Sequence, residues 1–166
     1  LTAVSNETTH LAVLEGREIV YIDKVDNLQA MKMRSRIGTR GCIYSTAVGK
    51  SMMAFLPESE RDEILADLDF TRLTKNTIVD PAQFSAQLAK IRRRGYAVDD
   101  EENELGIRCV GVPVFDHVGR VAGAVSISGW TITMTLERLP QLASTLEEAC
   151  QQISKELGFV PSTERE

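Results

Sequence analysis

Residues 45–51 read Ser-Thr-Ala-Val-Gly-Lys-Ser, and a Gly-Lys-Ser ending is how a phosphate-binding loop closes. Such a loop also needs an earlier glycine, where the chain turns around the phosphate. Tyr44 stands at that position. Helical spacing of Val48, Met52 and Phe55 already runs through the triad, so Gly49-Lys50 falls inside the first turns of a helix rather than at its mouth. The sequence therefore argues against a nucleotide phosphate here. What remains is the helix start itself. Ser45 or Thr46 is a good N-cap, and the amides of Ala47 and Val48 are donors at the positive end of the helix dipole. A small carboxylate fits such a place, as does an ordinary capped helix with no ligand.

A second group of residues stands on a hairpin. Residues 105–115 and 120–128 alternate as strands around a turn at 116–119. A two-residue loop would set Cys109 opposite Ser126 and Ile107 opposite Ser128; a bulge would shift that register. One face carries Val110, Val112, Val114, Val121, Val125 and Ile127, a core face. The other carries Cys109, Gly111, Pro113, Ala122, Ala124, Ser126 and Ser128. Those side chains are too small for a core and too uncharged for a solvated face. Either a helix packs closely over them or a ligand does. The hydroxyls of Ser126 and Ser128 can donate or accept, which suits carboxylate, keto or hydroxyl oxygens.

Other chemistries are poorly supplied. Cys42, Cys109 and Cys150 are odd in number and widely spaced, which suits a reducing compartment. There is no CxxC and no HxxxH, so no metal site is expected, and no cofactor either. The basic cluster Arg92-Arg93-Arg94 sits in the last turn of a helix before Gly95, where cations offset the dipole. With 19 basic and 24 acidic residues the net charge is −5, a poor balance for gripping nucleic acid. No apolar run approaches the roughly 20 residues that span a bilayer. The chain begins at Leu1 without a leader pattern, and it reads as a cytoplasmic piece of a longer protein.

These residues need a scaffold, and the pattern supplies one. The length of 166 residues suits a single domain. Stretches 10–14 and 17–25 flank Glu15-Gly16 as a hairpin, and a third strand is expected at 30–36. Helices are expected at 46–56, at 58–67, and from Asp80-Pro81 to Arg94 with Phe84, Leu88 and Ile91 buried. Strands follow at 96–100 and in the second hairpin. A last helix covers 136–157, with Leu139, Leu142, Leu146, Ala149, Ile153 and Leu157 on one stripe and an irregular first turn at Pro140. The order predicts an α/β (α+β) fold, an antiparallel sheet with helices packed on it.

Three stretches together carry a resemblance. IYSTAVGKSMMAFLPE, RRRGYAVDDEENELGIRCVGVPVFDHVGRVAGAVSISG and the closing amphipathic helix resemble the C-terminal effector-binding domain of IclR-type bacterial transcriptional regulators. The resemblance covers nearly the whole chain. YIDKVD followed by MRSRIGTRGCIYSTAVGK is similar to the sugar-acid, keto-deoxygluconate-type repressor branch. The resemblance implies a GAF-like fold, a curved antiparallel sheet with helices on both sides. It implies an effector-binding and oligomerisation domain over 1–160, a frayed tail at 161–166, and a winged helix-turn-helix preceding Leu1 and absent from this chain. DNA would be met only through that missing domain.

The effector implied is a small organic acid, its carboxylate at the helix start Thr46, Ala47 and Val48. Further contacts map onto Asp99, Ile107, Cys109, Ser126 and Ser128, with Met33 as an apolar wall. Ala47 stands where some members have Gly, which narrows the carboxylate end. An ionised Asp99 would accept from a ligand hydroxyl and repel a second carboxylate, whereas Asp100 to Glu102 read as a solvated charge run. A homodimer or homotetramer is implied, with no membrane. Two rival functions stand beside the sensor: a GAF-like redox enzyme using Cys109, and a purely structural assembly domain. The first would need an activating base for Cys109, and the imidazoles are His10 and His117.

Overall fold

The computed structural model describes residues 1–27 and 35–160. After a short helix α1 (Thr2–Ser5), strands β1 (Thr8–Glu15) and β2 (Glu18–Val25) form a hairpin, and β3 (Arg40–Cys42) pairs with β2. Helices α2 (Ala47–Phe55), α3 (Glu58–Ala66) and α4 (Pro81–Arg94) follow. Then come β4 (Ala97–Asp100), β5 (Ile107–Phe115), β6 (Val121–Trp130) and the long α5 (Leu139–Glu156). The six strands make one antiparallel sheet in the order β3-β2-β1-β6-β5-β4. The fold is mixed α+β, as the sequence predicts.

Each face of the sheet has its own core. On one side α2 and α4 bury Met52, Met53, Phe84, Leu88 and Ile91 against Ala12, Ile19 and Ala124. On the other, α5 lays Leu142, Leu146 and Cys150 over Val110, Val112, Val114, Val125 and Ile127. Fully burying a side chain of this size contributes roughly 1.5–3 kcal/mol, so both helix layers are held mainly by these contacts.

The β5–β6 hairpin departs from the expected register. Its turn is a three-residue loop closed by Asp116 and Arg120, with Gly119 at φ 82°, and a bulge follows between Val114 and Phe115. Each feature slips the pairing by one residue. Cys109 therefore faces Ser128, Gly111 faces Ser126, and Ile107 faces Trp130. Two single slips restore the facing of the inner residues, so the small-residue face survives. Val121, next to the turn, does not follow: it pairs with Phe115 and packs with the α2 core rather than with Val125 and Ile127.

Three other expectations are corrected. Among the described residues the strand after β2 is Arg40–Cys42; of the strand expected at 30–36, residues 30–34 lie outside the described residues, and Ser35 and Arg36 are not in a strand. The last helix starts at Leu139, because residues 131–138 are consumed in turns, and Pro140 sits in its first turn. Its buried stripe is Leu139, Leu142, Ala143, Leu146, Cys150 and Ser154, while Ile153 and Leu157 are exposed. The expected frayed tail, 161–166, lies outside the described residues.

Candidate functional site

The Gly-Lys-Ser triad has a structural explanation. Thr46 caps α2, accepting from the Gly49 amide at 3.2 Å and donating to the Cys42 carbonyl at 2.7 Å. Such a cap contributes about 1 kcal/mol. A Cβ on Gly49 would lie 2.5 Å from the Ile43 backbone, so only glycine lets the preceding loop close over the helix. Lys50 is fully buried; its ammonium donates to the Val98 carbonyl at 2.6 Å and pairs with the Glu102 carboxylate. Ser51 donates to the Val48 carbonyl. The triad holds α2 to β4 and to the loop after it.

Strand β4 presents Asp99. Its Oδ1 accepts from the amides of Glu102 (2.8 Å) and Asn103 (3.2 Å), and Asn103 in turn accepts from Ser45 at 2.8 Å. Burial pushes the Asp99 carboxyl up to about 7; Lys50 opposes the rise, Glu102 adds to it, and the two amide bonds lower it. Glu102 is thus not part of a solvated run: it is buried on Lys50, while Asp100 binds Arg108. The amphipathic register hid this, because the chain turns inward at Glu101, whose φ is 57°.

The small-residue face of the hairpin answers its own question in two ways. At Gly111 a helix does pack closely: a Cβ there would lie 2.6 Å from the Ala47 carbonyl carbon and 2.9 Å from the Val48 amide nitrogen. Beyond Gly111 the face is left uncovered, and a cavity of about 390 Å³ stands over Cys109, Ser126 and Ser128. Thr46, Ala47, Val48, Asp99 and Ile107 line the same cavity. All eight candidate residues that are described come together there; Met33 lies outside the described residues. Ser126 and Ser128 are 3.4 Å apart, oxygen to oxygen. The first two amides of α2 have no acceptor within the helix, as at any helix start.

A wider groove, about 1230 Å³, runs between α5 and the rings of Phe55, Phe115 and Phe159. Its polar lining, such as Glu148, Gln151 and Lys155, lies on the exposed flank of α5. The smaller cavity gathers buried polar groups from several strands, and is the better candidate on chemistry.

Sequence reasoning missed two aromatic lining residues. The rings of His10 and Tyr21 pack tilted against each other, centroids 5.1 Å apart, and His10 bonds Ser35 at 2.7 Å through Nε2. They enter the cavity because β1 pairs with β6, His10 beside Ser126. A histidine inside an otherwise apolar strand was the available signal. Burial pushes the imidazole down to about 4, the Lys24 charge acts the same way and Asp26 opposes it, so His10 is neutral near pH 7. Burial also raises the Tyr21 hydroxyl, helped by Cys109 and Asp99. Cys109 is pushed well up by burial and by the neighbouring Asp99. A thiol held in that form is the reverse of an activated nucleophile. Among the described residues no cluster of three or more His, Cys, Asp or Glu is arranged to hold a metal ion.

Comparison with known proteins agrees with this architecture. Residues 1–155 match the family described as the bacterial transcriptional regulator IclR C-terminal domain. The chain is 39% identical over 159 residues to the HTH-type transcriptional regulator KdgR of Escherichia coli, covering 96% of this chain and 60% of that protein. The IclR structure from Thermotoga maritima superposes with a TM-score of 0.92 at 47% identity, over 95% of this chain and 64% of that one. The C-terminal domain of E. coli KdgR gives a TM-score of 0.86 at 37% identity, over 95% and 92% of the two chains. The chain belongs to the IclR family of transcriptional regulators and corresponds to its C-terminal, effector-binding domain. It spans about three fifths of the length of the curated relatives it matches. No helix among the described residues is long and apolar enough to cross a membrane.

Proposed function

We propose that this domain senses a small organic acid, a sugar acid or a 2-keto acid, and that binding alters how an attached winged helix-turn-helix holds DNA. The observation that carries the reading is the convergence of the α2 start, Ser126, Ser128 and Asp99 on one cavity of a size suited to a small metabolite. The ligand carboxylate lies against the Ala47 and Val48 amides, where the helix dipole favours an anion. Ser126 and Ser128 take keto or hydroxyl oxygens, and Ile107 and Cys109 line the apolar stem. The protein works as a cytoplasmic homodimer or homotetramer, and DNA is met only through an N-terminal domain outside this chain. The raised Cys109 thiol gives no support to redox chemistry.

The test is thermal stability of this chain against pyruvate, gluconate and 2-keto-3-deoxygluconate, each beside a neutral analogue. An acid at about 100 times its dissociation constant adds roughly 2.7 kcal/mol, a shift of several degrees. The shift should vanish in Ser126→Ala with Ser128→Ala while the melting transition stays cooperative. No shift with any acid, or an undiminished shift in the double variant, defeats the proposal.

A further inference from the structure

Among the described residues the cavity has little positive charge to spare. Lys50 is buried and committed to Glu102 and the Val98 carbonyl, so that pair is neutral as a unit. Asp99 lies beside it, 2% exposed and part of the cavity wall, with one oxygen taken by two backbone amides. Among the described lining residues the arginine is Arg40 of β3, half exposed and already bonded to Glu15 and Glu18. From β1, His10 is neutral; Lys24, which acts on it, is paired with Asp26. From β2 and β5, Tyr21 and Cys109 hold their protons. Glu104, from the loop after β4, adds a further carboxylate to the lining. Among the described residues, an ionised Asp99 has therefore only the shared influence of Lys50 to balance it.

An organic anion brings a second carboxylate into this enclosed space. Two neighbouring carboxylates in low dielectric do not both stay ionised; one takes a proton. We infer that the cavity takes an organic monoanion together with one proton, and that Asp99 carries this proton and donates a hydrogen bond to the ligand. The inference rests on the reading of the cavity as an acid-binding site. It revises the role expected of Asp99, from a pure acceptor that selects a hydroxyl to a donor that meets a carboxylate or keto oxygen. The free carboxyl, at about 7, is already poised to take up a proton near neutrality. It also sets the ligand class: a monoanion with an acceptor oxygen toward Asp99. A dianion would need two protons or an extra cation.

The experiment is calorimetry of this chain with pyruvate and with 2-keto-3-deoxygluconate, at about pH 6, 7 and 8, each in two buffers of different ionisation enthalpy. Uptake of close to one proton is expected at about pH 8 and much less at about pH 6, where Asp99 is already protonated. Affinity should fall about fivefold between pH 7 and pH 8. Asp99→Asn, which cannot change its charge, should show neither the uptake nor the pH dependence; Asp99→Ser serves the same purpose if the first variant melts non-cooperatively. Binding by the wild type with no proton uptake and a flat pH profile overturns the inference and leaves the acid-binding reading standing. So does full uptake retained in the variants. No binding of either acid at any of these pH values overturns the acid-binding reading, and the inference falls with it.

Discussion

Asp99 is the residue whose environment says most about the protein. Its carboxyl is buried, near a neutralised ion pair, and raised to about 7. The unfolded chain returns it to the ordinary value of about 3.9. The folded state thus binds more protons than the unfolded state between those values, so stability falls as pH rises through that window. Asp99→Asn keeps an oxygen for the Glu102 and Asn103 amides and removes the titration. Relative to wild type, the variant should gain on the order of 2–4 kcal/mol between about pH 4 and about pH 8, read by urea denaturation. An equal pH dependence in both proteins would show that Asp99 titrates normally. Neither the raised carboxyl nor the inward turn of Glu102 could be read from Asp99-Asp100-Glu101-Glu102, where four acids in a row look solvated. The missing information was Lys50, nearly fifty positions earlier, whose ammonium draws Glu102 inside. The Gly-Lys-Ser triad could be rejected as a phosphate loop from its neighbours, but its actual work, closing α2 onto Ile43, β4 and the loop after it, needed the fold.

Helix α2 and the β5–β6 hairpin form two walls of the cavity, and their closeness is set by one atom. Gly111 lies beneath the first turn of α2 with no room for a Cβ. Gly111→Ala must push the helix start away from the sheet or displace β5. The cost should be about 1–3 kcal/mol, the range for overpacking a well-packed site. Because Ala47 and Val48 are the atoms displaced, acid binding should weaken beyond what the stability loss explains; thermal melts with and without 2-keto-3-deoxygluconate separate the two. An unchanged melting point would mean that α2 sits more loosely than these contacts require. The elements around the cavity were largely readable. Alternation exposed the small face, and the Thr46 and Asp80 caps located two helix starts. Register was not readable, since a three-residue turn and a bulge each moved the pairing by one. The face remained correct because the two slips cancel in parity; Val121 lies between the turn and the bulge, where only one slip has acted, and came out wrong. The long last helix misled differently: Ile153 and Leu157 extended the apparent stripe, but the buried positions follow helical geometry through Cys150 and Ser154. Ser154 is inside because its hydroxyl donates to the Cys150 carbonyl and accepts from the Phe115 amide.

The molecule as a body is an acidic, two-cored sheet domain, and that charge bears on how it could act on DNA. Its formal net charge is −5, and the basic run Arg92-Arg93-Arg94 is partly spent on its own fold. Arg92 donates to the Ala54 carbonyl at 3.0 Å and lies over the Phe55 ring; Arg94 donates to the Tyr96 carbonyl at 2.6 Å and covers the Tyr96 ring. The last turn of α4 adds its dipole to the demand for those cations. Non-specific DNA affinity comes from lysines and arginines that displace counterions from phosphates, and 19 basic against 24 acidic residues is a poor balance for that. This chain alone should therefore bind a fluorescent duplex more weakly than about 10⁻⁴ M at physiological salt, the weak end of non-specific binding. Anisotropy at low salt would bring out any residual electrostatic affinity, and it should not change when an acid ligand is added. Saturable, salt-sensitive binding in the micromolar range would mean that this domain itself touches the operator. An effector would then act by masking or freeing that surface rather than through the linkage to a separate DNA-binding module.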